Sequence, residues 1–88
     1  MAESSPPPRT ADELRSAILL RYDAMSKRLK QIARYMLDEP NAVALETLAV
    51  LAERTGVQPS AIVRFAKSFG FDGASQMQRL FRDGLISG

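Results

Sequence analysis

The chain contains no cysteine and no histidine. The first absence excludes disulfides and thiolate nucleophiles, and the two together exclude nearly all zinc chemistry. Without histidine the usual general base is also missing. No apolar run approaches the roughly 18 residues that a membrane span needs. The first ten residues, MAESSPPPRT, have no apolar stretch of the kind a signal peptide carries. These absences predict a cytoplasmic protein with no cofactor and no metal. Length bounds the answer further. With 88 residues there is room for one small domain, which buries about 60–65% of the surface its unfolded chain exposes. A second core, a nucleotide-binding sheet or a large substrate cleft does not fit.

The charge is modest but unevenly placed. Twelve basic against ten acidic residues leave +2. Five basic residues lie between Arg21 and Arg34 with one acid, Asp23, and five more lie between Arg54 and Arg82 with one acid, Asp72. Asp38, Glu39 and Glu46 fall between the two runs. Such runs are either solvated helix faces or the footprint of a polyanion.

Residues 1–9 read as a polar, proline-rich tail, disordered or extended. The ordered domain is expected over 10–86. Every periodic segment has the 3.6-residue period of a helix, and none alternates with period 2, so the fold class is all-α with five main helices. Thr10 and Glu13 have capping-box spacing ahead of a first helix at about 11–24, with Leu14, Ile18, Leu19, Tyr22 and Met25 at helical spacing. Ser26 caps a second helix bearing Leu29, Ile32, Ala33 and Met36, which Pro40 stops near Asp38. Residues 41–45 read as a short connector or a single helical turn. Thr47 caps a third helix with Leu48, Leu51 and Ala52 inward, ending at Gly56. Pro59 opens a fourth, about 59–69, with Ile62, Phe65, Ala66 and Phe69 inward. Gly70 is placed to end it in the left-handed conformation, with Phe71 packing back. A fifth covers about 74–83.

The informative stretch is Leu48 to Lys67. Two helices are joined by a tight turn at Gly56-Val57, and a small residue, Ala52, sits four positions before the glycine. This is the pattern of a helix-turn-helix, whose second helix enters the DNA major groove. That second helix has an outward face: Gln58, Pro59, Ser60, Val63 and Arg64 are the candidates to read base edges. Arg64 has a second option as a phosphate clamp. Thr47, Lys67 and Ser68 are candidates for phosphate contacts. No pair of Asp, Glu, Lys, Ser or Tyr residues shares a plausible cleft, so an enzyme is not expected. The alternative to DNA binding is a helical protein-interaction or oligomerisation module using the same fold.

The matching residues go further than a generic pattern. Leu51-Ala52, Gly56-Val57, Ile62-Val63-Arg64-Phe65-Ala66-Lys67 and Gly70-Phe71-Asp72-Gly73 resemble the N-terminal domain of the RpiR family of sugar-phosphate-responsive regulators. Ser26, Ile32-Ala33, Tyr35, Met36 and Pro40 resemble that family's second helix. The resemblance implies sequence-specific binding of a double-stranded DNA operator by a transcriptional regulator, as a homodimer. It also implies a phosphosugar effector, bound through a C-terminal sugar-isomerase-like (SIS) domain that is expected in a longer protein and is absent from these 88 residues. Carbohydrate-metabolism regulation follows from the same resemblance. Three departures stand out. Gln58 replaces a usual serine, a better helix cap. Val50 replaces a common glutamate and is expected to expose an apolar group. Ala74 replaces an aromatic. The first helix, through Leu14, Ile18, Leu19 and Tyr22, offers either a dimer surface or simple core packing.

Overall fold

Sequence-local signals decide where most of the helices start and stop. A computed structural model describes residues 7–87. Among them lie six α-helices: α1 (Ala11–Arg21), α2 (Lys27–Asp38), α3 (Pro40–Leu45), α4 (Leu48–Thr55), α5 (Pro59–Ser68) and α6 (Ala74–Ser87). Most of the tail expected at 1–9 falls on residues 1–6, outside the described residues. The domain is all-α, as the periodicity implies.

Three helices open on a hydroxyl cap. Thr10 Oγ1 accepts from the Glu13 amide at 3.1 Å, Ser26 Oγ from Leu29 at 3.2 Å, and Thr47 Oγ1 from Val50 at 3.2 Å. Each bond satisfies one amide that the first helical turn leaves without an intrahelical acceptor. Glu13 closes its cap one residue earlier than a capping box would, accepting from the Arg9 amide at 2.8 Å.

Three boundaries differ from the sequence expectation. The first helix stops at Arg21, and Tyr22–Ala24 continues as a single 3-10 turn before Met25 turns extended. The connector at 41–45 is itself a helix, α3, begun by Pro40 in its first turn. The last helix runs through Gly84 to Ser87. Gly84 is tolerated there because α1 packs close: a Cβ on it would meet the Ala11 side chain at 3.2 Å.

The core is one cluster drawn from every helix. Leu14, Ile18, Ile32, Ala33, Met36, Val43, Leu51, Ile62, Phe65, Ala66 and Met77 are all at or below 1% exposure. The α3 helix packs mainly on α6, and α4 on α5, while α2 touches α3, α4 and α5. Gln78 of α6 ties that first pair by polar contact: its Nε2 donates to the Val43 carbonyl at 3.2 Å and the Glu46 carbonyl at 2.6 Å. It thereby satisfies carbonyls that the short helix α3 leaves open at its end.

Leu14 and Ile18 are completely buried, so they cannot form a surface for a second chain. Their role is core packing, and Tyr22 is half-buried beside them. What α1 does leave in solvent is Leu19 and Leu20, at 59% and 86% exposure. Val50 is half-buried rather than fully exposed. Ala74, in place of an aromatic, is buried.

Candidate nucleic-acid interface

Residues 56–58 form the turn between α4 and α5. Gly56 adopts φ +75°, in the left-handed region where a side chain costs energy. Three backbone bonds close the turn: Val57 N–H donates to the Ala52 carbonyl at 3.1 Å, and Gly56 N–H donates to Ala52 at 2.9 Å and to Glu53 at 3.3 Å. The pattern repeats at the far end of α5. Gly70 has φ +96°, Phe71 N–H donates to Ala66 at 3.2 Å, and Gly70 N–H donates to Lys67 at 3.0 Å. Both are Schellman closures, which satisfy the open carbonyls of a helix end. One glycine therefore ends α4 and another ends α5.

Inside the turn region the buried hydroxyl of Thr55 donates back to the Leu51 carbonyl at 2.8 Å. Gln31 Nε2 reaches across from α2 to the Thr55 carbonyl at 3.5 Å. The turn is thus held from α2 as well as from within.

The α5 helix divides cleanly. Ile62, Phe65 and Ala66 are buried, and Phe69 follows them into the core. Phe65 and Phe69 pack with ring centroids 5.1 Å apart. Gln58, Pro59, Ser60, Arg64, Lys67 and Ser68 are exposed, and Val63 and Ala61 are half-buried. Gln58 precedes the first helical residue, but its side chain makes no capping bond. The loss of a serine-type cap therefore leaves a free amide, with donors and an acceptor suited to an adenine edge.

The predicted site residues separate into two stripes. Gln58, Ser60, Arg64 and Ser68 line one open groove, of about 760 Å³. Pro59, Val63 and Lys67, four residues apart, run along α5 outside that groove. Ser68 is partly committed, since its Oγ donates to the Phe65 carbonyl at 2.7 Å. Thr47 is exposed at the start of α4 and does not line the groove.

The opposite wall of the groove was not among the sequence candidates. It is the first turn of α2, with Ser26, Lys27 and Arg28. A second unanticipated residue is Arg21. Its guanidinium lies 4.2 Å above the Phe69 ring, and its Nη2 donates to the Ser68 carbonyl at 3.0 Å. The basic run from Arg21 to Arg34 was the available signal for both, but nothing in that run says which of its members face α5.

Among the described residues no group of His, Cys, Asp and Glu could hold a metal ion, and no helix is long and apolar enough to cross a membrane. No curated protein matches the chain significantly. Residues 13–83 do match a family description, the helix-turn-helix domain of the RpiR family. That span takes in the α4–α5 pair, both glycine closures, the basic groove and the whole buried core from Leu14 to Phe81. The chain therefore belongs to the RpiR family, through its helix-turn-helix domain.

Proposed function

We propose that this domain binds duplex DNA with sequence preference, and that α5 is the helix that enters the major groove. The observation that carries this reading is the exposed face of α5. Its polar side chains Gln58, Ser60, Arg64 and Lys67 make no side-chain hydrogen bond among the described residues, while the opposite face is fixed in the core. At ten residues the helix is roughly 15 Å long, and a major groove about 12 Å wide admits it.

Gln58, Pro59, Ser60 and Val63, nearest the start of α5, approach base edges first. Arg64 is within one turn of them. Thr47, Lys67 and Ser68 contact phosphate. A single domain with one such helix binds weakly, so the functional unit is a homodimer on two half-sites about one helical turn apart. The exposed Leu19 and Leu20 on α1 supply apolar area for that pairing. A regulator of transcription in the cytoplasm, answering to a phosphosugar through a further domain, is the setting that the family suggests.

The test is selection from a pool of randomised duplexes, followed by anisotropy titration of the selected and a scrambled sequence. Enrichment of one motif is expected. Arg64→Ala should weaken binding to it by about 1–3 kcal/mol if the guanidinium reads a base. Equal affinity for both duplexes, unchanged by Arg64→Ala, would overturn specific readout.

A further inference from the structure

The groove beside α5 has a chemistry of its own. It is bounded by three cationic side chains, Lys27 and Arg28 from α2 and Arg64 from α5, and no carboxylate lines it among the described residues. The first turn of α2 carries no acid either. Lys27, Arg28 and Arg64 make no side-chain hydrogen bond or ion pair among the described residues, so their charge is not neutralised within the chain. Three exposed like charges along one open channel, with no acid beside them, give it a positive potential that draws an anion.

The shape of the channel says what kind of anion. Ser60, Arg64 and Ser68 follow one another along α5 at four-residue intervals, so the groove extends roughly 12 Å parallel to the helix. A small phosphate would occupy one end. A linear polyanion fills its length. When a helix lies in the major groove, the elements standing beside it meet the sugar-phosphate strand at the groove's rim. The start of α2 stands in that place.

We propose that this groove holds one sugar-phosphate strand of the duplex, with Lys27 and Arg28 as its anchoring cations. The inference rests on the reading of α5 as the helix that enters DNA. It adds a phosphate contact from a helix outside the α4–α5 pair, at residues that carry no base preference. The strand is gripped between α2 and α5, and this fixes how far α5 can roll about its axis within the major groove.

The experiment is anisotropy with a mixed-sequence duplex over a range of salt concentrations, comparing the wild type with Lys27→Gln/Arg28→Gln. The control is Arg15→Gln/Arg79→Gln, which removes the same charge from exposed positions outside the groove. Each phosphate contact contributes about 0.9 to the slope of log affinity against log salt. The groove variant should therefore lose about 1.8 from that slope, on selected and scrambled duplexes alike. The control should keep the wild-type slope. An unchanged slope in the groove variant, or an equal loss in both variants, would overturn the proposal while leaving DNA binding by α5 intact. A wild type that binds no duplex at low salt would instead remove the reading of α5, and the groove assignment with it. Both pairs are exposed, and thermal melts check that each variant remains folded.

Discussion

The guanidinium of Arg21 lies 4.2 Å above the ring of Phe69 and donates to the Ser68 carbonyl at 3.0 Å. Arg21 ends α1, and Ser68 ends α5. One side chain therefore ties the last turn of the first helix to the last turn of the outward-facing one, across 47 residues of sequence. The ring face attracts the cation, and the carbonyl it meets lies at the negative end of the helix.

Arg21→Ala removes both contacts and should cost about 1 kcal/mol at this exposed position. Urea unfolding measures that loss. Amide hydrogen exchange adds a more local readout. Protection should fall first around Lys67 to Phe71, where the closing bonds of α5 lie. Arg21→Lys keeps the charge but not the planar fork, so it should recover only part of the loss. Stability and exchange indistinguishable from wild type in Arg21→Ala would show that the contact does not hold α5.

Gly56→Ala places a Cβ on a residue at φ +75°. Space is not the obstacle, since the nearest atom to that Cβ would be Gln31 Nε2 at 3.9 Å. The cost is conformational, about 1–2 kcal/mol. In a domain of this size each kcal/mol lowers Tm by roughly 4–8 °C. A melt within a degree of wild type would mean that the turn relaxes to another geometry.

Thr47 has two roles that a single substitution can separate. Thr47→Asp keeps an acceptor for the Val50 amide and should preserve stability, whereas Thr47→Ala should lose about 1 kcal/mol. The aspartate also brings a negative charge to the exposed start of α4. If phosphate approaches there, duplex affinity falls in Thr47→Asp although the fold is intact. Full affinity in that variant would leave Thr47 as a cap alone.

Replacing Leu19 and Leu20 together by glutamine should leave the monomer folded, because both are exposed at the surface of α1. Sedimentation should then show weaker self-association. Affinity for a duplex with two half-sites should fall more than affinity for a single half-site. An unaltered association constant would place the dimer contact elsewhere.

Local chemistry made much of this fold legible. Ser26, Thr47, Gly56 and Gly70 act at helix ends through bonds to their own backbone neighbours, and Pro59 acts by lacking an N–H where the first helical turn needs none, so the limits of α2, α4 and α5 could be read residue by residue. Helix α3 read only as a connector or a single turn, because six residues complete too few turns to display a period. The last helix read short because Gly84 looks like a terminus in isolation. Only the approach of Ala11 makes a glycine useful inside that helix. The outward face of α5 was legible from the same period that marks its buried face. Lys27 and Arg28 were not, because their position beside Arg64 depends on how α2 packs against α5, more than thirty residues away. Leu14 and Ile18 show the converse: helical spacing says that a stripe is apolar, but not whether it faces its own core or another molecule.

The two glycine closures also bear on how such a domain diversifies. With Gly56 and Gly70 setting where α4 and α5 stop, and Phe65 and Phe69 fixing the rotation of α5, the side chains at Gln58, Ser60 and Lys67 have no structural duty to discharge. Substitutions there are expected to stay within about 0.5 kcal/mol of neutral. The letters on the outward face can then be rewritten one at a time without first finding a compensating change in the core. If α5 reads DNA as proposed, new DNA preferences would become reachable through single steps between equally stable proteins.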